Sequence, residues 1–531
     1  MPDSVTGGAA VIDSLVAQGV RAVFGIPGTH NLELYRYLPD SGIRQVVTRH
    51  EQGAGYAADG YARTSGGPGV LITTSGPGIT NAMTALATAY ADSVPVLAVS
   101  PGPPRGQVGA DAGWLHEVKN QQGALAAVCG TSIRVEAADE VPDVVSMIFE
   151  RFASNRPRPV HLEVPVDVLE GDWARRDVHP RRTAPPTAPS GDALATAARV
   201  LATAKYPLVI AGGGSRGASD QVTALADRGI PVLTTVNGKG VVDEDHPAAL
   251  GASLRLPSAH TAANEADVLV VVGSELGDSD LWGGKIEAGR EGDRTILRID
   301  IEPAQLHKNV AADLPILGDA ALVLDGLLAR LGDGSEVQWD RGIAGRHRER
   351  IAIEARMDGH PWAEMQRSLA EALPPDTVVA GDSSQVTYYG TVHHWPFTRA
   401  NRLVYPTGYA TLGYGLPAAI GAKVAAPSRP VVALFGDGAA MFSIQEIVTA
   451  VEQGLSIPVV VVDNGGYREI RDEMVVRGIE PQAVDLTRPD FPAMARAMGA
   501  RGVSADSPDE LGPLAAQALD AGRPTLIHLS V

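Results

Sequence analysis

Val431-Val432-Ala433-Leu434-Phe435 is an apolar run that ends on Gly436-Asp437-Gly438, and the next run, Pro458-Val459-Val460-Val461-Val462, ends on Asp463-Asn464-Gly465-Gly466. Both runs read as buried parallel strands, and residues 439–462 leave room for the helix that joins such strands. Their polar ends then meet at one sheet edge, where open α/β sheets bind ligands. Oxygen-bearing side chains there suit a hard divalent cation that shares a diphosphate. The sequence therefore predicts a magnesium diphosphate site, although either loop alone also reads as an ordinary turn.

This pair of loops resembles the signature of thiamine diphosphate enzymes, in which Gly-Asp-Gly is followed along the chain by a pair usually written Asn-Asn. The resemblance implies Mg²⁺ ligands from the Asp437 and Asn464 side chains and the Gly466 carbonyl. It also implies that amides near a helix start bind the diphosphate. The residues it places on the cofactor here are Gly436, Asp437, Gly438, Ala439, Asn464 and Gly466. Asp463 replaces the first Asn, which indicates either a local hydrogen bond or a weaker match.

Glu51 follows the β-like Val46-Val47 and begins a stretch rich in small residues, 51–63, that reads as a helix. Taken alone, it reads best as a helix cap or as an ion-pair partner of Arg49 or Arg63. The pattern around it, H-E-Q-x-A-x-x-x-A-D-G-Y-A-R, resembles the acetolactate synthase and benzoylformate decarboxylase group. That resemblance implies a catalytic carboxyl group that shares a proton with the pyrimidine ring of the cofactor.

Further motifs extend the resemblance along nearly the whole chain. Segments 24–31, 73–81, 381–385 and 406–421 resemble loops that meet the cofactor or substrate, and 113–117 and 471–481 resemble 2-ketoarginine (5-guanidino-2-oxopentanoate) decarboxylases. The cofactor residues implied are Thr74, Ser384, Gln385, Ala410 and Leu412, and the substrate residues are Thr29, His30, His116 and Glu480. His30 and His116 are predicted to relay protons. The alternatives are that Leu412 is core, that Ser384 lies in a plain loop and that both histidines are structural.

Composition limits the class of protein and of partner. The chain has 531 residues, a formal charge of −18 and one cysteine, Cys129. The negative charge argues against nucleic acid or an anionic membrane as partner. One cysteine excludes an internal disulfide framework, and the start of the chain lacks a basic, apolar leader. A cytoplasmic location is therefore expected.

The predicted fold class is α/β, with three doubly wound parallel-sheet domains. We place a pyrimidine-binding domain at residues 1–172, a central Rossmann-like domain at 190–335 and a diphosphate- and Mg²⁺-binding domain at 356–531, with an exposed linker at 175–190. The central unit carries 212–217, a weak dinucleotide-like loop that would favour a nicotinamide dehydrogenase if it stood alone. Ser274-Glu275 puts a carboxylate where a flavin phosphate would need a cation, so FAD is not expected.

The resemblance implies decarboxylation of a 2-oxo acid, with thiamine diphosphate and Mg²⁺ as cofactors. A distal cation on the substrate would meet Glu480, Asp472 or Glu275. The alternatives are an acetolactate synthase-type carboligase, which joins the decarboxylated fragment to a second carbonyl, and a thiamine diphosphate-binding protein without catalysis. The family architecture further implies a homodimer or homotetramer whose sites lie between subunits.

Overall fold

Three parallel sheets with helices on both faces make up the chain, which confirms the predicted fold class. The computed structural model describes residues 5–181, 185–288, 294–332, 339–340 and 342–531. Met1, linker residues 182–184, Ser335 and Arg341 lie outside the described residues. The proposed domain boundaries therefore stay predictions. Among the helices described, none combines the length and hydropathy that crossing a membrane requires.

The first domain is a six-stranded parallel sheet with the order β3-β2-β4-β5-β7-β6, next to a two-stranded antiparallel pair, β1-β8. Side chains of the strand at 69–72 alternate between two cores. Val70 and Ile72 pack against α1 and α7, and Leu71 packs against α3 and α5. A strand buried on both faces reads as a continuous apolar run, as Val70-Leu71-Ile72 does. The strands are β1 Val5–Thr6, β2 Ala22–Gly25, β3 Arg44–Val47, β4 Gly69–Ile72, β5 Val96–Gly102, β6 Thr131–Arg134, β7 Val160–Pro165 and β8 Asp172–Trp173, and the helices are α1 Gly7–Ala17, α2 Leu32–Tyr37, α3 Glu51–Ser65, α4 Pro77–Asn81, α5 Met83–Ala91, α6 Gln121–Ala126, α7 Val141–Ser154 and α8 Val166–Glu170.

The central domain has a five-stranded parallel sheet in the order β10-β9-β11-β12-β13. Three apolar-rich stretches of the sequence, 207–211, 268–272 and 295–300, form neighbouring strands of this sheet. Its strands are β9 Pro207–Ala211, β10 Val232–Thr234, β11 Val268–Val272, β12 Thr295–Asp300 and β13 Leu314–Leu317, and its helices are α9 Gly191–Thr203, α10 Ser219–Asp227, α11 Pro257–Glu265, α12 Asp278–Leu281 and α13 Ala320–Leu331.

The third domain repeats the layout of the first, with the strand order β15-β14-β16-β17-β19-β18. Strands β16 and β17 are parallel neighbours, with Gly436 opposite Val462, as the two apolar runs predicted. The strands are β14 Val378–Gly381, β15 Leu403–Val404, β16 Val431–Gly436, β17 Pro458–Asp463, β18 Arg501–Ala505 and β19 Thr525–Ser530, and the helices are α14 Ile343–Gly359, α15 Ala363–Ala372, α16 Val392–His394, α17 Gly415–Ala425, α18 Asp437–Ala440, α19 Glu446–Glu452, α20 Arg468–Val476, α21 Phe491–Ala497 and α22 Leu511–Ala518, with a π-helical turn at Val386–Thr391.

Helices α3 and α17 join the first and third domains in one continuous core. Glycine makes this contact possible. A Cβ atom on Gly60 would lie 2.2 Å from the Ala418 carbonyl oxygen, and one on Gly421 would lie 1.9 Å from that of Ala57. Any larger residue at either position would push the two helices apart.

A buried polar network fastens all three domains to one another. Arg63 of α3 donates hydrogen bonds to Asp59 at 2.6 Å, to Asp92 at 2.8 Å and to Asn237 of the central domain at 3.1 Å. Asp92 also accepts a hydrogen bond from the amide of Gly408, at 2.9 Å, in the predicted cofactor segment. Since the charges of Arg63, Asp59 and Asp92 are buried but paired, the network can hold that segment at a fixed position.

Candidate active site

The three predicted metal ligands converge where β16 and β17 end. The Asn464 amide nitrogen donates to Asp437 Oδ1 at 3.3 Å. The terminal amide atom of the Asn464 side chain lies 3.2 Å from Asp437 Oδ1 and 3.2 Å from the Gly466 carbonyl oxygen. If this atom is the side-chain nitrogen, it donates to both oxygens. If the amide group is rotated by 180°, its oxygen lies beside the Asp437 and Gly466 oxygens instead. This oxygen-only set fits a hard cation such as Mg²⁺.

Asp463, the departure from the family pattern, lies directly behind this loop. Its buried carboxylate accepts hydrogen bonds from the Gly465 amide at 3.0 Å and His528 Nε2 at 3.1 Å, and it pairs with Arg488 Nε at 3.2 Å. Burial, and then the charge of Asp463, raise the pKa of the Asp437 carboxyl group. A bound divalent cation would offset both effects, so the extra carboxylate fits a metal site.

The remaining predicted diphosphate residues border one cavity of about 690 Å³ at the carboxyl edge of the third sheet. Ser384 Oγ accepts a hydrogen bond from the Gly436 amide at 3.0 Å, so the two loops predicted to bind phosphate are linked to each other. Gln385 Nε2 donates to Glu469 at 2.8 Å. The predicted residues that line this cavity are Ser384, Gln385, Ala410, Leu412, Gly436, Gly438, Ala439, Asn464 and Gly466.

Asp382, which the sequence analysis did not select, holds the segment that carries Ala410 and Leu412. Its buried carboxylate accepts hydrogen bonds from the amides of Ser383 at 2.9 Å, Gly413 at 3.2 Å and Gly415 at 2.8 Å. Burial raises the pKa of Asp382 to about 6. Ala410 has a φ of +50°, a strained value for a residue with a Cβ atom, which this anchored segment maintains.

Glu51 is the first residue of α3, at the predicted strand-to-helix junction. His50, not Glu51, caps the helix, because its ring nitrogen accepts the Gln52 amide. Glu51 Oε2 accepts a hydrogen bond from Asn81 Nδ2 at 2.9 Å. Neither expected ion pair forms, since Arg49 pairs with Glu452 and Arg63 pairs with Asp59 and Asp92. The carboxyl group therefore retains an oxygen for a ligand.

Thr74 lies beside Glu51 with an unused hydroxyl group. Its Oγ1 is buried and has no hydrogen-bond partner in the described protein. A Cβ atom added at Gly78 would lie 2.8 Å from the Thr74 methyl carbon and 3.5 Å from Glu51 Oε1. Both polar groups thus border one narrow space that glycine keeps open. An orphan hydroxyl group and a free carboxylate oxygen fit a polar ligand such as the cofactor pyrimidine.

The two predicted histidines meet on the first domain. His30 Nδ1 lies 2.7 Å and His116 Nδ1 lies 3.4 Å from Ser75 Oγ. The His30 ring also stacks on Trp114, with ring centroids 4.5 Å apart. Burial, and then the charge of His116, lower the pKa of His30. Thr29 begins the short 3₁₀ turn that carries His30.

Glu480 lies elsewhere, in the exposed segment after α20 and outside the lining of the cavity. Its role toward substrate stays a prediction. The acidic wall of the cavity is formed instead by residues that the sequence analysis did not select: Asp278, Asp280, Glu469 and Glu473.

None of the described residues 5–172 lines the large cavity in the single chain. Next to Glu51, the contact with the third domain runs through backbone amides. Glu446 of α19 accepts the amides of Arg49 at 3.0 Å and His50 at 3.1 Å, next to Glu51. Burial raises the pKa of Glu446 to about 7. Within one chain, the Glu51 carboxyl group and the metal loop thus belong to separate spaces.

A second cavity, of about 260 Å³, lies at the carboxyl edge of the central sheet. Its Glu275 carboxylate contacts Arg156 at 3.3 Å and Lys308 at 2.7 Å. Glu275 is therefore already paired and does not line the large cavity, so it is not available to a substrate cation there.

Comparison with known proteins identifies the family. Models of the thiamine pyrophosphate enzymes match residues 5–124 as the N-terminal TPP binding domain, 194–327 as the central domain and 382–529 as the C-terminal TPP binding domain. A probable 2-ketoarginine decarboxylase of Pseudomonas aeruginosa, AruI, is 40% identical over 93% of this chain and 89% of that protein. A probable acetolactate synthase large subunit of Methanocaldococcus jannaschii is 34% identical over 99% of this chain and 92% of its own length.

The acetolactate synthase isozyme 3 large subunit of Escherichia coli is 32% identical, covering 98% of this chain and 93% of that protein. These relatives confirm the resemblance drawn from the Glu51 and Asp437 motifs. The chain belongs to the thiamine pyrophosphate enzyme family.

Proposed function

We propose that this enzyme is a thiamine diphosphate- and Mg²⁺-dependent decarboxylase of a 2-oxo acid that carries a distal cation, such as 2-ketoarginine. The observation that carries the proposal is the charge of the large cavity, which begins at the predicted diphosphate loops. Its ionisable lining has two arginines and four carboxylates, a formal balance of −2. A 2-oxo acid without a cation would add a further negative charge to this cavity, whereas one with a distal cation is neutral overall and can pair that cation with a carboxylate of the lining. The 40% identical relative named as a 2-ketoarginine decarboxylase supports the same class.

Bound thiamine diphosphate supplies the electron sink that lets a 2-oxo acid lose carbon dioxide. The protein's part is binding and proton transfer. The Asp437, Asn464 and Gly466 oxygens would hold Mg²⁺, and Leu412 would support the cofactor rings. Glu51 Oε1, which Asn81 leaves free, would exchange a proton with the pyrimidine.

His30 would move a proton at the reacting end of the substrate. With Nδ1 at Ser75, its Nε2 is left to face a ligand. Its lowered pKa keeps the imidazole neutral near pH 7, so that it adds no charge to repel a cationic substrate. His116, whose Nδ1 lies 3.4 Å from the same Ser75 hydroxyl group, would help to orient that group.

The active site would be completed by a second copy of the chain, in a homodimer or homotetramer. Glu51, Thr74 and His30 line no part of the large cavity within one chain. Two large side chains near the cofactor segment, Tyr409 at 51% exposure and Phe442 at 47%, leave apolar surface for a partner's first domain to cover.

Carboligation is the second candidate, because acetolactate synthase large subunits align with nearly the whole chain. We further propose that FAD does not bind and that the enzyme is cytoplasmic. Glu275, paired with Arg156 and Lys308, puts a carboxylate at the edge of the central cavity where a flavin diphosphate would need cations. Flavin absorbance at one equivalent in purified enzyme would refute this part.

The test is a panel of 2-oxo acids, assayed for carbon dioxide release with and without an added aldehyde acceptor. We expect 5-guanidino-2-oxopentanoate to have a higher kcat/KM than pyruvate, and the product to be the aldehyde. A preference for pyruvate with acetolactate as product would replace the proposal by its alternative. Activity that survives removal of Mg²⁺ by a chelator would refute the metal requirement.

A further inference from the structure

The large cavity and the central cavity meet at a neck formed by the three residues that line both: Ser279, Asp280 and Thr407. Helix α12 supplies Ser279 and Asp280, and the cofactor segment supplies Thr407. The neck is therefore a place where the central domain reaches the cavity that begins at the diphosphate loops. Leu412, which would support the cofactor rings, lines the same cavity, so a long substrate that reacts at those rings can extend its far end toward the neck.

Two polar groups at the neck lack partners. Thr407 is 7% exposed, and its Oγ1 has no hydrogen-bond partner in the described protein. The Asp280 carboxylate has neither a hydrogen bond nor an ion pair with any described residue. Instead, burial and the carboxylates of Asp92 and Glu275 raise the pKa of Asp280 to about 7. A buried hydroxyl group without a partner, next to a half-buried carboxylate without a partner, can accept donors from a ligand.

The other charges of the large cavity are matched inside the protein. The pairs are Arg255 with Asp358, Arg468 with Asp472 at 3.1 Å, Glu469 with the Tyr389 hydroxyl group at 2.9 Å, and Glu473 with Arg477 at 2.7 Å. Among the described carboxylates that line the cavity, only Asp278 and Asp280 have no partner. Helix α12 therefore carries the two unpartnered carboxylates of the cavity.

Trp282 adds an aromatic surface next to these carboxylates. It ends α12 with a φ of +49°, a backbone conformation that is unfavourable for a bulky residue and is often associated with function. Its side chain lines the cavity and is 50% exposed. The Arg255 guanidinium lies 5.0 Å from the centre of its ring, a cation–π contact within the protein.

We propose that Asp280 and Thr407 bind the distal cation of the substrate, with Asp278 as a second negative charge and Trp282 as an apolar wall. The ligand class is a 2-oxo acid with a hydrogen-bond-donating cation, above all a guanidinium group, whose several N–H donors can serve both Asp280 and Thr407. This assignment rests on the proposed function and adds the residues that would select the substrate. It also replaces Glu480, Asp472 and Glu275 as the primary cation ligands.

The experiment compares 5-guanidino-2-oxopentanoate with 2-oxohexanoate, a 2-oxo acid whose side chain carries no charge, in the Mg²⁺- and thiamine diphosphate-loaded enzyme. Asp280→Asn should lower kcat/KM for the guanidino substrate about 10- to 100-fold while changing that for 2-oxohexanoate less than about threefold. Asp280→Glu, which keeps the charge, should recover part of the loss. Inhibition by 5-guanidinopentanoate, which lacks the reacting carbonyl group, should weaken in parallel.

The matched control is Asp227→Asn, an exposed carboxylate of the same domain that lines neither cavity. A wild-type enzyme that does not prefer the guanidino substrate would refute the proposed substrate class. A wild-type preference that Asp280→Asn leaves intact would refute only the assignment of Asp280. Because Asp280 has no internal partner, Asp280→Asn should unfold no earlier on heating than wild type; a clearly lower midpoint would show a structural role and overturn the assignment.

Discussion

Asp463→Asn is the substitution that most directly examines how this chain supports its metal loop. The family usually has Asn at this position, so the change restores the common pattern and removes one buried charge. In this protein, the Asp463 carboxylate contacts Gly465, His528 and Arg488, which lie on the loop and around the last strand. We expect the substitution to weaken Mg²⁺ binding, because three donors that position the loop contact this carboxylate.

The size of the effect follows from these three contacts. The Asn oxygen can still accept the Gly465 amide. The Asn amide nitrogen would face a second donor, His528 or Arg488. That donor would then lose its hydrogen bond to a charged acceptor, which is worth about 1.5–3 kcal/mol. Arg488 is 48% exposed and recovers by hydration, and the repulsion between Asp463 and Asp437 is relieved. A net loss of about 1–2 kcal/mol corresponds to about 5- to 30-fold weaker Mg²⁺ binding.

The assay is calorimetric titration of Mg²⁺ into enzyme saturated with thiamine diphosphate, with thermal unfolding measured in parallel. Asp485→Asn is the control, because Asp485 is an exposed carboxylate of the same region that pairs only with Arg471 among the described residues. Unchanged Mg²⁺ affinity in Asp463→Asn, or a loss no larger than that of the control, would show that the buried carboxylate does not position the metal loop.

Two further predictions concern the first domain. Glu51→Gln should lower turnover about 10²- to 10⁴-fold, because it removes the transferable proton, while leaving Mg²⁺–thiamine diphosphate affinity within a few-fold of wild type; near-normal turnover would end the catalytic assignment of Glu51. His161, buried between the Ser100 and Ser132 hydroxyl groups, has its pKa lowered by burial from 6.5 to about 3. As the pH drops below 6.5, the unfolded chain binds a proton on this histidine and the folded protein does not, so the free energy of unfolding decreases. Urea unfolding should show a decrease between pH 7 and pH 5 that is about 2 kcal/mol larger in wild type than in His161→Gln. Equal decreases would contradict the buried neutral imidazole.

The strands and the metal loop could be predicted because their signals are local. Strands β9 and β11 are uninterrupted apolar runs, and a strand that is buried on both faces leaves that mark on the sequence. Asp437 and Asn464 are separated along the chain but end adjacent parallel strands, so strand order alone brings them together.

Asp382 and Asp280 could not be selected in this way. Asp382 also ends a strand, but its role depends on the amides of Gly413 and Gly415, which fold back onto it from a distant segment. Asp280 is distinctive only because its carboxylate lacks a partner in the fold, a property that no local pattern encodes. The contacts of Asp463 with Arg488 and His528 likewise depend on how the last strand pairs with β17.

The central claim is that Glu51 of one chain and the Asp437 loop of another act on the same thiamine diphosphate. Glu51→Gln and Asp437→Ala chains, each carrying a different affinity tag, should be inactive alone. Coexpressed and purified through both tags, a mixed dimer would have one site with both native residues, and we predict about half of the wild-type kcat per dimer. A doubly tagged assembly as inactive as its parents would contradict the shared site.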